Sequence, residues 1–315
     1  MRLSYKLLLL SAVPLIGFVI QTARDLNATL KELKIASAMR GNMVAFEAAS
    51  NAAHELQKER GMSMLFLGGA LDATELNRQR QETTSRIEGL KQSLRSAELK
   101  PETVSTASLS LSKLEQIRQA TDSKEPAAGI RTAYTESINS VLSVEKGAVS
   151  GPTSRGIGKV MAYLMSIESP KEFSGQFRAA MANTLSTNAA LTSEARNALF
   201  ALKSRIHVGL TEAAGSGRES AVKIEALLKG SDYQQIEKDF WTVMDKAEQG
   251  QFGLDAKESF ALNTRFIDAL ASLVKEEVSG VVKQVAEIER SEKRTAWFSL
   301  SIALLTVTGA VYFSW

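Results

Sequence analysis

The chain has no cysteine, which excludes disulfides, thiolate metal sites and cysteine nucleophiles. Its two histidines, His54 and His207, have no carboxylate or second histidine at metal-ligand spacing, so neither a metal nor a cofactor is expected. Charge of one sign is also missing. With 38 basic and 35 acidic side chains the net charge is +3, too small a field for a nucleic-acid partner. No serine, aspartate and histidine arrangement suggests catalysis, and no enzyme is expected. Gly-Ser-Gly-Arg at 215–218 follows no strand and lacks the Walker lysine, so it is not a phosphate loop. Proline is limited to five residues and aromatics to 6%, and no stretch alternates apolar and polar residues in the way a half-buried strand does.

What remains is rich in Ala, Ser, Leu, Glu and Lys with helical periodicity nearly throughout, which predicts an all-α protein of 315 residues. Both ends are apolar. Leu7–Ile20 carries no charge and follows Arg2 and Lys6, predicting a first transmembrane helix over 1–24 with its N-terminus in the cytoplasm. A cleaved signal peptide is the alternative, although Gln21-Thr22-Ala23 is a poor cleavage site. Ala296–Trp315 is uncharged with aromatics at both ends and predicts a second span over 291–315. Residues 25–290 are then exported, the protein sits in the inner membrane, and the chain stops where a span hands over to a cytoplasmic module. Arg290, Lys293 and Arg294 fall on the outer side, mildly against the positive-inside tendency.

Breaks within the exported region are few. Gly68-Gly69 ends a first long helix, and Asp72 caps a second reaching about Ala97. Pro101 opens a third to about Thr121, and Pro126 a fourth ending near Gly147. After Gly151-Pro152 the plan repeats: a short helix from Gly156 to Ile167, a long one past Pro170 to about Ala214, helices at 218–229 and 231–249, and a last one from near Ala256. The expectation is two up-and-down bundles, about 25–150 and 151–290.

The first long helix carries a stripe of Met39, Met43, Phe46, Ala49, Ala53, Leu56, Arg60 and Ser63 at steps of mostly three or four. Arg60 therefore falls on the buried face, where a guanidinium needs a counter-charge or a bound anion. A glutamate from another helix would satisfy it as a core ion pair. The second half has a similar stripe of Ser174, Arg178, Met181, Leu185, Asn188, Ala195, Leu199, Leu202 and Ile206. Arg60 and Arg178 share a phase, so a clamp of two arginines on a small anion is the candidate ligand-binding site. Met39, Met43, Met62 and Met64 read as core filling.

Leu56-Gln57-Lys58-Glu59-Arg60-Gly61-Met62-Ser63 resembles the LQxERGxS signature of the NIT domain, a nitrate- and nitrite-sensing module of bacterial receptors. Three further matches follow in order: Tyr134-x3-Ile138-x3-Leu142, Gly175-Gln176-Phe177-Arg178-Ala179, and Phe260-x3-Thr264-x2-Ile267-Asp268-x-Leu270. The resemblance implies paired helical bundles binding a small oxyanion at Arg60 and Arg178, with nitrate or nitrite as ligand. It also implies a homodimer that passes a helix displacement across the membrane to a chemotaxis or sensor-kinase output. Two alternatives stay open: an envelope scaffold without a ligand, and the same sensor with another cue such as an amino acid.

Overall fold

The computed structural model describes residues 2–154 and 156–314, with side chains over 13–154 and 156–309. Among these residues there are ten helices and no strand, as the composition requires. They are α1 (Arg2–Leu67), α2 (Ala73–Ser93), α3 (Pro101–Ser112), α4 (Leu114–Asp122), α5 (Ala127–Val149), α6 (Gly158–Thr187), α7 (Ser193–Ala214), α8 (Glu219–Lys229), α9 (Ser231–Asp245) and α10 (Ala256–Ser314). Start and stop signals explain most boundaries. Asp72 accepts a hydrogen bond from Glu75 N at the head of α2, Pro101 opens α3, and Gly69 leaves α1 at φ +76°.

Three boundaries differ from the sequence reading. The expected third helix divides at Lys113 into α3 and α4. Pro170 does not separate two helices but lies inside α6, where Ser174 Oγ donates to the Pro170 carbonyl. Pro170 is buried against Gly209 of α7, whose absent side chain lets the helices approach: a Cβ there would meet the proline ring at 3.2 Å.

The expected long helix from 170 to 214 breaks after Thr187. Asn188 adopts the left-handed conformation (φ 50°) and Thr192 caps α7 by accepting from Ala195 N. Distant chain holds this break open. Asn188 O accepts from Gln251 N, Asn188 Oδ1 accepts from Phe252 N, and Leu191 N donates to Ala247 O at 2.7 Å. Gly250 (φ +70°) closes the contact, since a Cβ there would sit 2.8 Å from the Ala189 carbonyl carbon.

Contacts divide the chain into two units. One comprises Met1–Arg40, Pro152–Arg155 and Val282–Trp315, and the other Gly41–Gly151 and Gly156–Val281. In the first, Ala36, Met39 and Val285 are buried, and Arg40 Nη1 lies 3.3 Å from Glu289 Oε2. In the second, α3 packs on α4 and α5, α7 on α6 and α8, and α8 on α9, while α5 meets α6. Among the described residues no helix is long and apolar enough to cross a membrane. The spans expected over 1–24 and 291–315 lie partly outside the residues whose side chains are described.

The 188–192 turn makes a graded prediction. Gly250→Ala meets both left-handed strain and backbone contact and is expected to cost about 2–4 kcal/mol, whereas Gly69→Ala, with open space around it, costs only about 1 kcal/mol. Urea midpoints of the full chain measure both, and equal losses would refute the packing role of Gly250.

Candidate functional site

The site lies wholly in the second unit and starts from α1. Met43, Phe46, Ala49, Ala53, Leu56, Arg60 and Ser63 all have zero exposure, as the helical stripe requires. Arg60 Nη1 donates to Glu172 Oε1 (3.0 Å) on α6 and to Thr135 Oγ1 (3.0 Å) on α5, while its Nε and Nη2 have no partner. Arg60 is thus half of a core ion pair and still carries unused donors. Glu172 is heavily subscribed, accepting also from Gln57 Nε2 (2.6 Å) and Gln176 Nε2 (2.9 Å).

Arg178 on α6 is equally buried and has no carboxylate at all. Its Nη1 donates to Thr264 Oγ1 (2.8 Å) on α10, its guanidinium lies 4.9 Å from the Phe260 ring centre, and its Nε and Nη2 are unpartnered. Burial first, and the positive charge of Arg60 next, bring its pKa down to about 9. The unfolded chain therefore holds this proton more tightly than the native one. Stability contributed by this group rises as pH climbs from about 9 toward the ordinary 12.5, and at neutral pH a buried, underpaired cation destabilises the native state.

The remaining residues around Arg60 lock this arrangement. Glu59 takes both Nε (2.8 Å) and Nη2 (2.9 Å) of Arg118 and accepts from the Tyr134 hydroxyl (2.7 Å), to which Ser63 donates. A Cβ on Gly61 would lie 2.4 Å from Phe260 Cε2, so only glycine lets that ring reach Arg178. A Cβ on Gly175 would lie 3.1 Å from Arg60 Nη2 and 3.2 Å from Gln57 Cδ. Asp268, on α10 like Thr264 and Phe260, has Oδ1 2.9 Å from His54 Nε2 and 3.4 Å from Lys58 Nζ. Every polar position of the 56–63 motif except Lys58 is thereby buried and bonded to another helix.

A family profile described as nitrate and nitrite sensing matches residues 51–283. The chain belongs to the NIT family. The solved structure of the NasR transcription antiterminator is similar in fold, with a TM-score of 0.71 at 17% identity, over 93% of this chain and 85% of that one. No curated protein sequence matches.

Within this NIT chain the two arginines named from the sequence share one buried region; the glutamate weighed as a partner for Arg60 is present as Glu172, at a position the sequence did not point to. Glu172 and Thr135 meet Arg60 from α6 and α5, and Thr264 and Phe260 meet Arg178 from α10; only the motif spacing pointed toward Thr264 and Phe260. Arg131, half-buried on α5, was missed altogether. Burial, then the charge of Arg60, lowers its pKa, and it lines with Arg60 a cavity of about 580 Å³. Met39, Met43 and Met64 are core residues as expected, whereas Met62 is only half-buried. No cluster able to hold a metal occurs among the described residues.

Beside the arginines lies a second buried polar group. Lys171 Nζ donates to Glu168 Oε1 (2.8 Å) and Ser50 Oγ (2.9 Å), and Ser50 donates to Glu168 (2.7 Å). Glu145 on α5 is fully buried and neither carboxyl oxygen has a partner. Burial, then Glu168, raise its pKa well above the ordinary 4.5; Lys171 opposes this and Glu172 adds to it. The stability contributed by the proton on Glu145 is complete below about pH 4.5 and is lost as pH rises toward the elevated native value. Glu145→Gln should therefore flatten the decline in stability between about pH 5 and pH 8, by roughly 1–3 kcal/mol at the upper end. Denaturant titrations at the two pH values test this, and parallel profiles for the two proteins would refute it.

Proposed function

We propose that the chain is a membrane-anchored signal receptor whose periplasmic helical region, about 25–290, binds nitrate or nitrite between Arg60 and Arg178. The observation that carries the reading is four guanidinium nitrogens, Nε and Nη2 of each arginine, buried in one region without acceptors. Nitrate is a planar, weakly hydrated monoanion that matches in-plane N–H pairs, and it relieves the repulsion between the cations. A halide supplies charge without that geometry. Membership of the NIT family supports the ligand class.

Membrane anchoring draws support from the ends. Val13, Ile16, Val19 and Ile20, and then Trp297, Phe298, Leu300, Leu304, Leu305 and Val307, are large apolar side chains left exposed. Packing of α3, α4 and α5 on one another and of α6 through α9 on one another supports reading the region as two bundle halves, with α1 bonded to both groups. A homodimer with a chemotaxis or sensor-kinase output is the arrangement in which a small helix shift is useful, because a ligand favouring one of two helix placements signals by population alone.

The test is thermal unfolding of the full chain in lipid nanodiscs with nitrate, nitrite or chloride at constant ionic strength. Saturable stabilisation by nitrate or nitrite is expected, about 2.7 kcal/mol at a hundredfold excess over Kd, with chloride inert. Arg178→Leu leaves no carboxylate unpaired, so it should abolish that response while raising ligand-free stability by about 1–3 kcal/mol. Indifference of the native chain to nitrate and nitrite, or a response that survives Arg178→Leu, overturns the assignment.

A further inference from the structure

The cavity that Arg60 lines is far larger than nitrate. Its volume of about 580 Å³ is that of a site for a small organic molecule. Its walls are α5, α6 and α7, with Arg60 entering from α1. The α6 and α7 helices form a hairpin turning at 188–192, so positions near 176 on α6 lie level with positions near 205 on α7. Arg205, stacked 5.3 Å from the ring centre of Phe173, shows this register. Lining residues therefore separate along the hairpin axis. Arg60, Arg131, Gln176 and Arg205 mark one end, and Ala195, Ala198 and Leu199 lead toward the turn at the other. From Gln176 to Thr187 the helix rises about 16 Å.

The charged end is short of acceptors. Arg60 is fully buried with two unpartnered nitrogens, and Arg131 lines the same end half-buried, with no ion pair among the described residues. Glu136 is exposed on the lining and disfavours a second negative charge on any ligand. A cationic end joined to an apolar trough describes a ligand with one anionic head and a hydrocarbon body.

We propose that this cleft binds a linear monocarboxylate of roughly four to eight carbons, its carboxylate on Arg60 and Arg131 and its chain along the alanine and leucine side chains of α7. The proposal rests on the reading of Arg60 as an anion-holding residue. It adds a ligand class that nitrate sensing does not require. Because Arg60 serves both, monocarboxylate and nitrate compete.

Calorimetry on the full chain in nanodiscs, with nitrate, acetate, butyrate, hexanoate and octanoate at constant ionic strength, tests it. Affinity should rise about two- to fourfold per methylene from acetate to hexanoate, and hexanoate should displace nitrate. Ala195→Phe fills the trough from a half-exposed position; it should weaken hexanoate at least tenfold and leave nitrate within about twofold. Arg131→Gln should weaken every carboxylate about tenfold. Nitrate binding with a flat carboxylate series sinks this proposal and leaves the nitrate reading standing. A rising series without nitrate binding sinks the nitrate reading and keeps the cleft. Hexanoate binding indifferent to Ala195→Phe reflects partition into lipid and refutes the site.

Discussion

The region around the site is built on an imbalance: of two fully buried guanidiniums only Arg60 is bonded to a carboxylate, Glu172, and that carboxylate also accepts from two glutamine amides. A buried ion pair gains little net energy even when complete, and an incomplete one costs the desolvation of the unmatched charge. Threonine hydroxyls at Thr135 and Thr264 and the ring face of Phe260 soften the cost without cancelling it. A chain that keeps such an arrangement gives up stability in the empty state. The depressed pKa of Arg178 is the same fact expressed in protons.

The surroundings keep that imbalance from collapsing. Glu59 is committed to Arg118 and Tyr134 and so is unavailable to Arg60, although the two are adjacent in sequence. Glu168 is committed to Lys171 and Ser50 in the same way. Adjacent residues on a helix point in different directions, about 100° apart, so Glu59 and Arg60 serve different helices. Glycine at 61 and 175 removes side chains that would otherwise push against Phe260 and the Arg60 guanidinium. The acids near the arginines are thus occupied or aimed elsewhere, and the unpaired donors persist.

Much of this was legible in the sequence. Periodicity placed Arg60 and Arg178 on buried faces because a helix fixes side-chain direction at about 100° per residue over any length. Asp72, Pro101 and Gly69 marked boundaries because their chemistry is local. The break after Thr187 was not legible: helical phase puts Asn188 on the buried stripe, whereas it is exposed and left-handed because the 247–252 loop supplies hydrogen bonds from a distant part of the chain. Pro170 misled in the opposite direction: tertiary packing against Gly209 carries a helix through a residue that normally ends one. Partners such as Glu172 stayed hidden because a stripe says which residues are buried and not which ones meet. Arg131 stayed hidden because it stands off the stripe, on a half-buried position that a wheel of apolar residues passes over.

Placement of the acceptors suggests how occupancy would be felt in the proposed sensor. Arg178 is tied to α10 through Thr264 and Phe260, and four residues on, Asp268 ties α10 to α1 through His54 and Lys58. The α10 helix therefore touches the arginine on one side and the helix bearing Arg60 on the other. An anion that takes over the free nitrogens of Arg178 changes the balance between its bond to Thr264 and its stacking on Phe260. The ring in turn rests against Gly61, one residue from Arg60, with no side chain between them to absorb a shift. Differential affinity for two placements of α10 against α1 needs only that one brings the guanidiniums closer than the other, because repulsion between them is the term the anion removes.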